Sequence, residues 1–87
     1  MNVIFSEAAW REYVDWQGED RKTLKSINKL IQSIMNDGLL GGLGKPERLK
    51  HIDGYSRRID DKNRLLYAAQ SDGSVEIISC KGHYEDQ

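Results

Sequence analysis

The 87-residue sequence predicts an α+β fold in which two helices pack on one face of a twisted, mainly antiparallel sheet, in the order β-α-α-β-β-β. Two observations carry this prediction. Apolar residues recur with the helical period of 3.6 between residues 20 and 37, whereas the C-terminal half contains short runs of β-branched and aromatic residues. Asp72-Gly73 between two of those runs is a typical hairpin turn. We expect one domain over residues 1–87, with a frayed tail over 84–87.

The N-terminal half predicts a strand over residues 2–5 and then two helices. Ser6 is placed to cap the first helix and Asp20 the second, because their side-chain oxygens can accept the free amides of a first turn. Gly38 ends the second helix. The predicted core face of the first helix comprises Ala9, Trp10, Tyr13, Val14 and Gln17, with Trp16 at its margin. That of the second comprises Leu24, Ile27, Leu30, Ile31, Ile34 and Met35.

The C-terminal half predicts a loop and a three-stranded meander. Residues 38–44 (GLLGGLG) are rich in glycine, but proline follows Gly44-Lys45, so the phosphate-binding pattern that needs Gly-Lys-Ser/Thr at a helix start is absent. The strand candidates that follow cover residues 55–59, 64–70 and 74–80.

Composition narrows the class of protein. Net charge is −1, but residues 45–64 hold seven basic and four acidic side chains, a balance of +3, so an anion-binding face belongs there. No apolar run approaches the roughly 20 residues that span a bilayer, and the N-terminus lacks the pattern of a signal peptide. A single cysteine, Cys80, predicts a reducing cytoplasm, and we expect it to be a small buried side chain.

The C-terminal half also contains the side chains that general acid–base chemistry on a phosphate requires. Glu47 is a candidate base, and His83, followed by Tyr84, is a candidate acid at the end of the last strand. Antiparallel pairing can bring Arg58 and Arg64 to the same surface. Such a set can cleave RNA without a metal, and the spacing of histidine, cysteine and carboxylates predicts no metal site and no cofactor.

Each candidate also has a purely structural interpretation. Glu47 can form surface ion pairs with its basic neighbours, and His83 can be a solvated residue near a terminus. Arg57 and Arg64 can pair across strands with carboxylates, of which the candidates are Asp60, Asp61 and Glu76. Adjacent strand residues face opposite sides, so Arg57 and Arg58 are expected to point away from each other.

Several motifs together resemble one family. The segments GKPERLKH (44–51), SRRI (56–59), RLLY (64–67) and the terminal HY (83–84) are similar to those of the Txe/YoeB toxins of bacterial toxin–antitoxin modules, within the RelE superfamily. The opening IFSEAAWREYVDWQ and the phrase INKLI fit as well, so the resemblance covers nearly the whole chain.

The resemblance implies a ribosome-dependent endoribonuclease that cleaves messenger RNA in the A site by metal-independent attack of a ribose 2′-OH on the phosphate. It also assigns roles to residues of this chain. The implied catalytic residues are Glu47 as general base, Arg64 as transition-state stabiliser, His83 as general acid and Tyr84 in base positioning. Lys50 and Arg58 are the implied phosphate-binding residues.

The resemblance further implies partners. These are the ribosome and mRNA, a cognate antitoxin of the YefM/Axe type, and operator DNA bound only by the toxin–antitoxin complex; toxin dimers occur in this family.

Two other functions stay open at this point. One is an antitoxin-binding co-repressor that has lost cleavage activity; the short loop before SRRI and the acidic tail favour it. The other is a related toxin directed at DNA gyrase, which needs no acid–base pair.

Overall fold

The computed structural model describes residues 1–82, whose strands form one mixed sheet. The sheet order is β1-β5-β4-β3-β2, with β1 parallel to β5 and the other neighbours antiparallel. Two helices cover one face, which confirms the predicted α+β fold. The strands are β1 (Val3–Phe5), β2 (Glu47–Arg48), β3 (Tyr55–Arg58), β4 (Arg64–Ala69) and β5 (Val75–Ser79). The helices are α1 (Glu7–Glu19) and α2 (Arg21–Asp37).

Strand β2 was not expected from the sequence. It consists of two residues, which pair antiparallel with β3 in the register Glu47↔Ser56 and Arg48↔Tyr55. The amide of Leu49 donates to the carbonyl of Gly54 at 2.9 Å and closes the hairpin. Two charged residues after a proline show no alternation of apolar and polar side chains, so the pairing follows from the neighbouring strand and leaves no local signal.

The helix ends follow the predicted caps. Ser6 Oγ accepts the amide of Ala9 at 3.0 Å, and Asp20 Oδ1 accepts the amides of Lys22 at 3.1 Å and Thr23 at 3.3 Å. The hydrogen bonds from the Thr23 hydroxyl and amide lower the pKa of Asp20 below its usual value. Gly38 ends α2 with a φ of 88°, a conformation that glycine adopts without steric cost.

The core face of α1 differs from the prediction. Ala9 and Trp16 are buried, whereas Trp10 and Val14 are about half exposed, at 51% and 45%. The buried face runs through positions 9, 12, 13 and 16, because α1 lies along β5 and Trp16 Nε1 donates to the carbonyl of Cys80 at 2.9 Å. Because the charged residue Glu12 lies in the middle of this face, the periodicity of apolar residues does not reveal it.

The predicted face of α2 is largely confirmed. Ile27, Leu30 and Ile34 are buried in the core, while Met35 is wrong as a core residue because it is 45% exposed. No helix within residues 1–82 is long and apolar enough to cross a membrane. The buried core comprises Ala9, Trp16, Ile27, Leu30, Ile34, Leu65, Tyr67, Val75, Ile77 and Cys80.

Arg57 is fully buried, with its side chain on the helical side of the sheet. Its burial excludes the predicted pairing with a surface carboxylate. Its Nη2 donates to the carbonyl of Gly38 at 2.8 Å, and Nη1 donates to the carbonyl of Leu43 at 2.7 Å and to Ser33 Oγ at 3.2 Å. Its Nε donates to the Tyr67 hydroxyl at 2.9 Å. Within residues 1–82, no carboxylate oxygen lies within 4.0 Å of this guanidinium, so neutral acceptors solvate its charge.

The glycine-rich loop, residues 38–44, contacts Arg57 and the end of α2. A β-carbon at Gly42, whose φ is +86°, would lie 2.1 Å from Ser33 Oγ, so only glycine fits there. Ser33 Oγ donates to Asp37 Oδ2 at 2.9 Å and accepts the amide of Leu43 at 3.0 Å. The loop is therefore a structural connection, in line with its failure to match a nucleotide-binding motif.

We expect Arg57→Ala to lower the free energy of unfolding by about 3 kcal/mol or more, because it removes the donor to two partly buried carbonyls and two buried hydroxyl groups and leaves a cavity. The matched control is Arg58→Ala, which changes the adjacent, exposed residue of the same strand and is expected to cost no more than about 0.5 kcal/mol. Urea unfolding followed by tryptophan fluorescence measures both. Equal stabilities of the two variants would contradict the role given to Arg57.

Candidate active site

The face of the sheet opposite the helices carries the candidate site. The register pairs Arg57↔Leu65 and Tyr55↔Tyr67 point to the core, so the alternate pairs Ser56↔Leu66 and Arg58↔Arg64 project from the other face. This confirms that Arg57 and Arg58 point in opposite directions. Three adjacent strands thus contribute side chains to the outer face.

Glu47 and Arg64 meet on this outer face. Arg64 Nη1 lies 3.4 Å from Glu47 Oε1 and 3.4 Å from Ser56 Oγ. Both distances are at the long limit of a hydrogen bond, so neither contact is strong. Among residues 1–82, only Nη1 of the guanidinium has an acceptor, which leaves the Nε and Nη2 donors for an anion. The predicted pairing of Arg64 with Asp60, Asp61 or Glu76 is wrong, because its partner is Glu47.

The two predicted phosphate-binding residues, Arg58 and Lys50, differ in their relation to this pair. Arg58 is exposed and is the register partner of Arg64, so the two guanidinium groups project from the same face. Its amide also donates to the carbonyl of Gly44 at 2.6 Å. Lys50 is exposed in the loop between β2 and β3, and no hydrogen bond or ion pair in the described part of the chain joins it to Glu47 or Arg64.

His83 and Tyr84 lie outside the described residues, but the backbone that leads to them is held beside Arg64. The amide of Arg64 donates to the carbonyl of Gly82 at 3.1 Å, and the amide of Gly82 donates to Asn63 Oδ1 at 2.8 Å. Helix α1 holds the preceding residues, since Glu12 Oε1 accepts the amide of Cys80 at 2.7 Å. The end of the described chain is therefore fixed from two sides.

A groove of about 320 Å³ lies next to Arg64. Its apolar lining comes from Ile52, Leu66 and Ile78, and its basic lining from Arg64 and Lys81. Lys81 also donates to Glu19 at 2.8 Å, a hydrogen bond that raises the pKa of Lys81. Apolar side chains beside the Arg64 guanidinium suit a nucleobase or ribose with its phosphate.

A larger cavity of about 450 Å³ lies on the helical side and is lined partly by Phe5, Trp10, Tyr13 and Met35. No Asp, Glu, His, Lys or Arg side chain lines it. Within residues 1–82, no group of three His, Cys, Asp or Glu side chains is placed to hold a metal ion. On the outer face, the groove beside Arg64 lies next to the pair formed by Glu47 and Arg64.

Sequence reasoning missed two polar residues of the site. Ser56 contacts Arg64, but its place becomes evident only from the strand register. Asn63 accepts from the amide of Gly82, and the local signal for its position is the turn sequence DDKN (60–63) between two predicted strands. Asp60 Oδ1 accepts the amides of Lys62 at 2.8 Å and Asn63 at 2.7 Å, a common use of aspartate in turns.

Cys80 has no nucleophilic role in this arrangement. It is fully buried, and its thiol donates to the carbonyl of Ala9 at 3.7 Å. Burial raises the pKa of the Cys80 thiol to about 12, and the nearby carboxylate of Glu12 adds to this effect. The expectation of a small buried side chain is confirmed.

Comparison with known proteins gives consistent matches over almost the whole chain. The family model described as "YoeB-like toxin of bacterial type II toxin-antitoxin system" matches residues 5–84. A protein named Toxin YoeB from Synechocystis is 45% identical over 87 residues, which covers 98% of this chain and 99% of the relative.

Solved structures agree with these matches. The heterotetrameric YoeB–YefM toxin–antitoxin complex from Staphylococcus aureus contains a chain that superposes with a TM-score of 0.87 at 44% identity, covering 97% of this chain and 98% of that one. A YoeB dimer from the same organism gives a TM-score of 0.88 at 43% identity, with the same coverage of both chains.

We expect the native protein to resist alkylation of Cys80 by iodoacetamide at about pH 8.5, since a pKa raised from 9.0 to about 12 lowers the thiolate fraction by roughly a thousandfold. Mass spectrometry of the intact protein measures the modification. The control is the same protein in concentrated guanidinium chloride, where rapid alkylation is expected. Equal rates in the native and unfolded states would show that the thiol is accessible.

Proposed function

Since this chain belongs to the family of YoeB-like toxins of bacterial type II toxin–antitoxin systems, we propose that it is a ribosome-dependent endoribonuclease that cleaves messenger RNA in the A site. The observation that supports this proposal is the meeting of Glu47 and Arg64 on the outer face, 3.4 Å apart. The chain that continues into His83 is held next to them at Gly82. In this proposal Glu47 is the base, Arg64 is the phosphate-binding cation, and the acid is His83, whose role rests on the sequence motif.

In the proposed reaction, the carboxylate of Glu47 takes the proton of a ribose 2′-OH. The 2′-oxygen then attacks the adjacent phosphorus, while the bond from phosphorus to the 5′-oxygen breaks. The products are a 2′,3′-cyclic phosphate and a 5′-hydroxyl. His83 gives its proton to the departing 5′-oxygen, so the proton taken by the base is balanced by the proton given by the acid.

Arg64 supplies electrostatic stabilisation in this reaction. Negative charge grows on the non-bridging phosphate oxygens in the transition state, and a guanidinium on a rigid strand needs no reorganisation to meet it. Arg64 is only partly exposed, with 23% of its side chain accessible, so water screens its charge less than that of a free surface arginine. Within residues 1–82, the contacts of the Arg64 side chain that an incoming phosphate would displace are the two long ones, to Glu47 and to Ser56.

The other predicted residues take supporting roles in the proposal. Tyr84 positions or stacks on a base, and Arg58, beside Arg64 in the register, binds a neighbouring phosphate. Lys50 extends phosphate binding along the loop after β2. The roles of His83 and Tyr84 rest on the sequence motif, since both residues lie outside the described part of the chain.

The charge of the protein fits a nuclease that needs the ribosome. A net charge of −1 offers little general attraction to RNA, since non-specific affinity depends on the number of phosphates neutralised. The ribosome would instead hold the mRNA against the small basic surface and supply the alignment that the protein alone lacks. Such action places the protein in the cytoplasm.

We further propose a YefM-like antitoxin as the cognate partner, by analogy with the Staphylococcus aureus complex, in which YoeB and YefM form a heterotetramer. A segment of the antitoxin that folds on binding can cover the groove and be removed by proteolysis. Operator DNA would be bound only by that complex. A homodimer is also proposed for this chain, because YoeB from Staphylococcus aureus forms one.

Primer extension on a defined mRNA with purified 70S ribosomes tests the nuclease activity. We expect a stop within the A-site codon that appears only when ribosomes are present. Glu47→Ala, Arg64→Ala and His83→Ala should each slow cleavage by about a hundredfold or more, because acid–base and charge-stabilising groups contribute factors of this size.

Two variants serve as matched controls. Arg48→Ala removes a cation from the same strand as Glu47, where it lies 5.5 Å over the ring of Tyr55, and Glu76→Ala removes a carboxylate from β5. Both should cleave within a few-fold of wild type. If the folded, antitoxin-free wild-type protein left the mRNA intact, the nuclease proposal would fail and the binding-module interpretation would take its place.

A further inference from the structure

The turn between β3 and β4 holds Asn63 in one orientation. The carbonyl of Asn63 accepts the amides of Ile59 at 3.0 Å and Asp60 at 3.2 Å, which fixes its backbone. Its Nδ2 donates to both carboxylate oxygens of Asp60, each at 3.1 Å. Because a carboxylate accepts and does not donate, the amide nitrogen must face Asp60, and the carbonyl oxygen Oδ1 must point the other way.

Asp60 is well suited to this orienting role. Burial by itself would raise the pKa of Asp60, but hydrogen bonds from the amide of Lys62, the Asn63 side chain and the Asn63 amide outweigh burial and lower it. Asp60 is therefore ionised at neutral pH and keeps its acceptors. The contact is lost only as the pH falls through the lowered pKa, in strongly acidic solution.

The oriented Oδ1 of Asn63 accepts the amide of Gly82 at 2.8 Å, and the carbonyl of Gly82 accepts the amide of Arg64 at 3.1 Å. Both hydrogen-bonding groups of Gly82 are thus engaged by two consecutive residues, one of which carries the phosphate-binding guanidinium. Gly82 has a φ of +95°, so the chain turns here in a conformation that favours glycine. Residue 83 is the next in the sequence.

We propose that Asn63 is a positioning residue of the active site: its carboxamide holds Gly82 against Arg64 and thereby fixes the backbone that leads to residue 83. The inference rests on the proposed nuclease function and goes beyond it, since Asn63 acts through the backbone and contacts no substrate. Asp60 supports it by orienting the carboxamide.

The location of Asn63 separates this role from general stability. Residues 60–62 of the turn are exposed, and the partly buried Asn63 contributes no apolar side chain to the core. Reaction rates, in contrast, depend steeply on the placement of a catalytic group, so loss of this bond should affect cleavage far more than folding.

The experiment compares Asn63→Ala with Asp61→Ala, which changes an exposed residue of the same turn. Single-turnover cleavage of ribosome-bound mRNA is measured for both. We expect Asn63→Ala to slow cleavage by about tenfold with an unchanged half-saturating concentration, and Asp61→Ala to remain within about twofold of wild type. Asp60→Asn, which removes the orienting carboxylate charge and leaves Gly82 unchanged, is a second variant expected to slow cleavage in the same direction.

The decisive measurement repeats Asn63→Ala in the His83→Ala background. If Asn63 acts through residue 83, it should have no further effect there, whereas a merely structural role would give the same factor in both backgrounds. An NMR spectrum should also show the Gly82 amide shifted and less protected from exchange in Asn63→Ala, with the core amides unchanged.

The outcomes distinguish the two proposals. Wild-type protein that leaves ribosome-bound mRNA intact overturns the proposed function, and this inference with it. Two results would overturn the inference alone, provided that the wild-type protein cleaves. One is an equal cleavage rate for Asn63→Ala and Asp61→Ala. The other is that Asn63→Ala slows cleavage by the same factor with His83 present and with His83 replaced by alanine.

Discussion

The buried guanidinium of Arg57 is the interaction on which the rest of the structure depends. A charge removed from water must be fully hydrogen-bonded, and Arg57 finds its acceptors in Ser33, Tyr67 and the carbonyls of Gly38 and Leu43. These groups come from α2, from the loop that follows it and from β4. One side chain of β3 therefore joins helix, loop and sheet.

This constraint also determines the outer face of the sheet. Because side chains alternate along a strand, burying Arg57 turns its neighbours Ser56 and Arg58 outwards. Ser56 pairs with Glu47 of β2 on one side and lies beside β4 on the other, so Glu47 comes within reach of Arg64. Local geometry of the site thus derives from a residue that does not touch it.

The C-terminal segment is built into the site by polar contacts from both sides. Helix α1 holds it through Glu12 and Trp16, which bond the amide and carbonyl of Cys80. The turn before β4 holds it through Asn63, and Arg64 adds its own amide. A short protein with a modest core can hold the backbone of residues 80–82 in this way, because backbone hydrogen bonds need little buried apolar surface.

Much of the fold follows from the sequence by itself. The stripe of α2, the caps Ser6 and Asp20, and the runs that became β3, β4 and β5 are local patterns, and each acts within a few residues of the chain. Residue types were also sufficient to select Glu47 and Arg64, and the family motifs pointed to His83 and Tyr84.

Only the tertiary structure decided which groups meet. Nothing local distinguishes Arg57 from Arg58, Trp16 from Trp10, or the two residues of β2 from an ordinary loop. Those choices depend on strand register and on packing between segments far apart in sequence, such as Asn63 with Gly82. Periodicity encodes whether a side chain faces the core, but the identity of its partner depends on how separate elements align when they pack.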